Sequence, residues 1–102
     1  MNQSAYYRNK VIWITGASSG IGEELARQLA TFGAQLVLSA RNQEKLSTLK
    51  ASLTKPENHL VLPLDLANLG DVNSYIEQIQ SKFGRIDILI NNGGVSQRAS
   101  AN

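Results

Sequence analysis

Thr15-Gly16-Ala17-Ser18-Ser19-Gly20-Ile21-Gly22 follows directly on the apolar run Val11-Ile12-Trp13-Ile14 and leads into a stretch with helical periodicity. Three glycines at a strand-to-helix turn have separate physical tasks. Gly16 allows a sharp exit from the strand, and Gly20 lets the backbone approach a pyrophosphate with no Cβ in the way. Gly22 permits close packing of helix on strand. The first N–H groups of the helix, including that of Ile21, have no intrahelical acceptor, and the helix dipole favours an anion there. Ser18 and Ser19 can add hydroxyl donors, and one of them is expected to cap the helix. No Gly-Lys-Ser/Thr ending follows, which disfavours a P-loop nucleotide triphosphatase.

Outward from this turn the chain alternates element types. Val11–Thr15, Gln35–Ser39, His59–Pro63 and Ile86–Ile90 are short, apolar and rich in branched residues, as strands buried on both faces must be. Between the first two, Ile21, Leu25, Leu29 and Phe32 share one helical face, and Gly33 supplies the left-handed residue that ends the helix. Asn42 to about Thr54 carries Leu46, Leu49 and Leu53. Val72, Ile76, Ile79 and Phe83 form the third helical face, closed by Gly84; Asn68 is the expected N-cap, with Asp71 placed for the dipole. Right-handed crossovers fold this βαβαβαβ order into an α/β, Rossmann-type doubly wound parallel sheet of strand order 3-2-1-4, incomplete on its C-terminal side. A flavodoxin-like order 2-1-3-4 is the alternative that periodicity alone leaves open.

Composition narrows the functional classes. The 102 residues make one domain at most, and the ten Lys+Arg against eight Asp+Glu give a net charge of only +2. The basic residues are scattered from Arg8 to Arg98, which disfavours nucleic-acid binding. The absence of cysteine excludes a disulfide scaffold and thiolate metal sites, and His59 has no second ligand beside it. No apolar stretch approaches a membrane span and the first ten residues lack a signal-peptide core, so a cytoplasmic location without membrane attachment is expected.

Thr15–Gly22 resembles the TGxxxGxG turn of the short-chain dehydrogenases/reductases. Leu64-Asp65-Leu66 after the third strand, Asn91-Asn92-Gly93-Gly94 after the fourth and Arg41 after the second stand where that family has further motifs, with Gly93 in place of the Ala of NNAG. The likeness runs from about residue 10 to 98, and Asn91–Arg98 further resembles the dehydrogenase/reductase member 7-like subgroup. It implies one domain over residues 1–102, the N-terminal, nicotinamide-dinucleotide-binding half of a longer domain. The implied cofactor residues are Gly16, Ser18, Ser19, Gly20, Ile21, Gly22, Arg41, Asp65, Leu66, Asn92, Gly93 and Gly94. In the family the Asp approaches the adenine amino group, and the residues matching Thr15 and Asn91 hold strands and turn together; Asn92, Gly93 and Gly94 are expected to let the chain after strand four pass close to the ribose. Asp65 could instead cap the turn that follows it.

Arg41 decides the cofactor expectation. No carboxylate ends the second strand, so nothing there repels a 2′-phosphate, and Arg41 can pair with one. NADP(H) is therefore expected over NAD(H), although Ser19 stands where some NADP-preferring relatives carry a second basic residue. The alternative is that Arg41 is simply solvated.

The resemblance further implies an oxidoreductase acting on a carbonyl or alcohol, homo-oligomeric when complete, with a Ser and a Tyr-x-x-x-Lys pair as proton machinery. Neither follows strand four here. Tyr6-Tyr7-Arg8-Asn9-Lys10 has the spacing but precedes the first strand, about 17 Å from the end where a cofactor would lie. Tyr75 has Ile79, not Lys, four residues on. No catalytic residue is therefore assigned, and the chain alone is expected to bind cofactor without turnover and to expose strand four as an apolar edge. A non-catalytic nucleotide-binding module is the competing reading. Ser96, Gln97 and Arg98 are either substrate-side contacts or the start of a helix, and Trp13 is expected in the core.

Overall fold

The structure is a computed structural model, and it describes residues 3–65 and 67–92. Four parallel strands lie in the order β3-β2-β1-β4, with β1 Val11–Thr15, β2 Gln35–Ser39, β3 Leu60–Val61 and β4 Ile88–Asn91. The flavodoxin-like order is thereby excluded. The register sets Ile12 opposite Leu36 on one side and opposite Ile88 on the other, so β1, like β2, is an inner strand.

Alternation along the strands builds two cores. Ile12, Ile14, Leu36 and Leu38 face α2 (Gly20–Thr31) and α3 (Gln43–Ser52), burying Ala26, Leu29, Leu46 and Leu49 with them. Val11 and Val37 face the other way, onto Leu62 and onto Ile79 of α4 (Val72–Phe83). Two right-handed crossovers move the chain from β1 outward to β3. The third returns it past β1, which puts α4 on the opposite face.

The helical faces differ from those read in the sequence. In α2 the buried stripe is Gly22, Ala26, Leu29 and Ala30, while Ile21 is 76% exposed. Ile21 lies off this stripe, and its neighbour Gly22 takes the buried place against Gly16 and Ala17. The small residues let the rest of the helix sit close to β1 and β2. In α4 only Ile79 is fully buried, and Val72 at its start is exposed.

Three boundaries also need correction. Asn68 does not cap α4; Asp71 does, its Oδ1 accepting the Asn73 N–H at 3.1 Å, because Asn68 is held in the preceding turn by the Asp65 carbonyl. The third strand is two residues long rather than spanning His59–Pro63. The ring of His59 replaces a backbone acceptor for Leu36 N–H, and Pro63 has no N–H to give. Leu62 and Leu64 nevertheless donate to the carbonyls of Leu38 and Ala40, which carries the chain along β2 to Asp65. The fourth strand starts at Ile88 rather than Ile86, because its first pairing is made by Asp87, whose N–H reaches Val11 O.

A short helix, α1 (Gln3–Tyr7), precedes β1 and stacks Tyr7 on Phe32 with ring centroids 6.0 Å apart. Gly33 and Gly84 end α2 and α4 in the left-handed region, at φ of +91° and +82°, as the sequence predicts.

Candidate cofactor site

The C-terminal ends of β1, β2 and β4 meet at the glycine turn. Gly16 leaves β1 at a φ of +71°, and Ala17 N–H donates to Ser39 O at 3.0 Å, tying the turn to the end of β2. Ser19 is the N-cap of α2: its Oγ accepts from Gly22 N–H at 3.4 Å and donates to Gly16 O at 2.9 Å. Its hydroxyl proton is therefore spent inside the turn and is not offered outward. Ser18 remains at the surface of the turn.

The three glycines divide their tasks. A Cβ on Gly20 would meet nothing within 4 Å, so the space above it is open. Gly20 and Ile21 N–H, at the head of α2, have no acceptor among the described residues. A pyrophosphate fits this cradle on both counts. A Cβ on Gly22 would run into Gly16 O and approach Asn92 Nδ2 to 2.8 Å. Gly22 thus packs against the turn itself as well as against the strand end.

Asn91 and Asn92 close the site from β4. Thr15 Oγ1 donates to Asn91 Oδ1 at 2.7 Å, the strand-holding pair that the resemblance implies. Asn92 N–H donates to Thr15 O, and its side-chain Nδ2 donates to Gly16 O at 3.2 Å and to Ser19 Oγ at 2.8 Å. Its amide therefore clamps the glycine turn, a role the sequence reading did not assign to it. No periodicity in the sequence could have found this pair.

Arg41 stands two residues past the end of β2, after Ala40, is exposed, and its guanidinium makes no hydrogen bond or ion pair among the described residues. The glycine turn, α2 and the start of α3 line an open groove of about 460 Å³, formed by Ser18, Glu23, Asn42, Glu44, Lys45 and Thr48. Asp65 Oδ1 accepts Ala67 N–H at 2.9 Å, so the carboxylate does cap its own turn. It remains half-exposed at the same end of the sheet. Leu66, Gly93 and Gly94, and with them Ser96–Arg98, lie outside the described residues.

The singletons set aside in the sequence have structural partners. His59 is 1% exposed, its Nδ1 accepting Leu36 N–H at 3.1 Å and its Nε2 2.9 Å from Thr54 O. That geometry requires the neutral ring with the proton on Nε2. Burial holds its pKa below the ordinary 6.5, with Lys50 and Lys82 adding to the effect and the Thr54 contact and Glu57 opposing it. Trp13 is half-buried and donates from Nε1 to Ser39 Oγ at 2.8 Å. Lys10 Nζ sits 5.2 Å from the Tyr6 ring centroid, both before the start of β1 and at the opposite end of the sheet from the glycine turn. Asp87, which the sequence reading passed over, accepts Val11 N–H and Arg85 Nε, each at 2.8 Å.

Residues 10–102 match the family model described as short chain dehydrogenase. Human dehydrogenase/reductase SDR family member 7 is 51% identical over 94 residues, 87% of this chain and 28% of that protein. A Drosophila melanogaster dehydrogenase/reductase SDR family protein 7-like is 40% identical over 106 residues, 95% of this chain and 32% of its own. The chain thus spans about a third of the length of these curated relatives. A short chain dehydrogenase from Bacillus anthracis superposes with a TM-score of 0.75 at 46% identity, covering 81% of this chain and 34% of that one. A 3-ketoacyl-(acyl-carrier-protein) reductase from Brucella melitensis, solved with NADH, gives 0.72 at 34% identity over 80% of this chain and 33% of its own. The strand order, the glycine turn with its Asn92 clamp and these likenesses agree: the chain belongs to the short-chain dehydrogenase/reductase family.

Proposed function

We propose that this chain binds NADP(H) and forms the cofactor-binding part of an oxidoreductase that moves a hydride between nicotinamide and a carbonyl or alcohol carbon. One observation carries the choice of cofactor: Arg41, two residues past the end of β2 and unpaired among the described residues, where a ribose-binding carboxylate would otherwise stand. The Brucella melitensis relative was solved with NADH, so the preference for a 2′-phosphate rests on Arg41 and not on that likeness.

In this reading the pyrophosphate lies on the N–H groups of Gly20 and Ile21, and Arg41 pairs with the 2′-phosphate. Asp65 has lone pairs left after its bond to Ala67 N–H and takes the adenine amino group. When bound, the nicotinamide gives or receives the hydride. The chain's own residues bind and orient; the proton machinery is expected from a Ser and a Tyr-x-x-x-Lys pair outside residues 1–102.

Fluorescence titration with NADPH and NADH tests the reading. The wild type is expected to favour NADPH, and Arg41→Asp to shift the preference toward NADH. An unchanged ratio of the two dissociation constants would overturn it.

A further inference from the structure

We propose that a cleft at the N-terminal ends of β1, β2 and β3 binds the dianionic phosphate group of a small soluble molecule between Arg8 and Lys55. The cleft measures about 300 Å³. Arg8 and Asn9 reach it from the approach to β1, Gly33 and Ala34 from the approach to β2, and Thr54, Lys55 and Asn58 from the turns before β3. The glycine turn follows β1 and so lies at the opposite end of the sheet. The site is therefore separate from the cofactor reading and does not rest on it.

The polar side chains here are mostly donors without an acceptor. Among the described residues neither the Arg8 guanidinium nor the Lys55 ammonium has a hydrogen bond or ion pair. The side-chain amides of Asn9 and Asn58 are unbonded on the same terms and can donate beside them. No carboxylate lines the cleft, and Glu57, two residues from Lys55, is exposed outside it. Cations near a helix C-terminus ordinarily answer its negative pole. At the end of α2 that pole is already met. The carbonyls of Gln28, Leu29, Ala30 and Gly33 accept backbone N–H groups from Phe32, Ala34, Gly33 and Asn9 respectively.

Lys55 is also held in a costly conformation. Its φ of +51° and ψ of +67° are left-handed, and Pro56 follows, which disfavours helical torsions in the residue before it. Asn9, at a φ of +64°, is the other non-glycine residue in that region among the described residues, and it lines the same cleft. Asparagine tolerates such torsions and glycine adopts them freely, whereas lysine does neither. Strain of this kind gathers at ligand-binding positions. A phosphate bridging Arg8 and Lys55 would meet both cations by charge-assisted hydrogen bonds.

Melting temperatures are measured on the protein expressed from its complete reading frame, in inorganic phosphate, in glycerol phosphate and in chloride of equal ionic strength and pH. Phosphate is expected to raise the wild-type value by roughly 2–5 °C over chloride. The probe giving the larger rise identifies free phosphate or a monoester as the source, and either supports the site. Arg8→Gln and Lys55→Gly should each remove most of the rise. In chloride Lys55→Gly should melt at or above the wild type, because glycine relieves the backbone. A rise kept in full by both variants would overturn the site, since a general salting effect does not need these cations. So would a rise lost in Gly20→Ala but kept in Lys55→Gly, which would put the anion at the glycine turn. A wild type that melts alike in all three salts would overturn it as well.

Discussion

Asn92 Nδ2 lies 2.8 Å from Ser19 Oγ, joining the end of β4 to the N-cap of α2 across 73 residues of chain. The same amide reaches Gly16 O, so one side chain holds both halves of the phosphate-facing turn. Asn92→Ala is expected to cost about 1–2 kcal/mol in urea unfolding and to weaken both nicotinamide cofactors alike. Asn92→Asp should cost more, because a carboxylate oxygen would then face the Gly16 carbonyl. Unchanged affinity in Asn92→Ala would show that the turn keeps its shape without the clamp.

Gly20 and Gly22 separate binding from folding. Gly20→Ala places a methyl in open space at a helical position, so the melting temperature should hold or rise slightly. Cofactor affinity should nevertheless fall if, as proposed, the pyrophosphate takes that space. Gly22→Ala drives a methyl into backbone oxygen and should lower stability by about 1–3 kcal/mol or prevent folding. Circular dichroism melts and cofactor titration on the pair check both halves; a Gly20→Ala variant that binds normally would place the pyrophosphate elsewhere.

His59 makes stability depend on pH. Its folded pKa lies below the 6.5 of the unfolded chain, so the unfolded state takes up the proton first. Its contribution is complete above about pH 6.5 and declines as the pH falls through and below that value. Protonating Nδ1 would also displace Leu36 N–H. His59→Phe should flatten the urea midpoint between pH 5 and 7 (a window of about two units around the unfolded value) while lowering it overall. A wild-type midpoint that is level across that window would contradict the neutral, doubly bonded ring.

Asp87 acts at a lower pH. Val11 N–H first, and then Arg85, hold its carboxyl below the ordinary 3.8. A depressed carboxylate stabilises the fold above its unfolded value and loses that effect as pH falls through the folded one. Arg85 also donates to Asn9 O at 2.7 Å, so the pair ties the start of β4 to the entry of β1. Asp87→Ala should lower the melting temperature by several degrees and speed amide exchange along β4. Protection in β4 equal to that of the wild type would show that the pair is solvated surface charge and nothing more.

What could be read from the chain was whatever repeats locally. Val11–Thr15 and Gln35–Ser39 are apolar on both faces because helices cover both, and the structure places them at those residues. Gly33 and Gly84 stop helices where the sequence puts them, since positive φ is a property of one residue. Ile21 was misread because hydrophobic period says which face is apolar, whereas the small residues Gly22, Ala26 and Ala30 form the face that packs closest. Asp71 rather than Asn68 caps α4 because Asp65 had already claimed the earlier turn. The side-chain ties of Asn92, His59 and Asp87 span 73, 23 and 76 residues, and no local pattern encodes such distances. Arg41 and Asp65 were legible as candidates by their place after a strand.

The inner strand β1 is the first of this sheet to be made, and its two flanks are filled at different times. Val37 and its neighbours can pair with β1 once residue 39 is synthesised, but the other edge waits for residues 88–91. During synthesis the glycine turn therefore exists for some fifty residues as a loop whose carbonyl at Gly16 lacks its distant donor. Contacts of such long sequence separation form late and slowly. A ribosome-bound chain cut short before Asn92 should hold most of the hydrophobic core yet be unable to grip the nucleotide, so cofactor capture marks the completion of the sheet rather than its beginning.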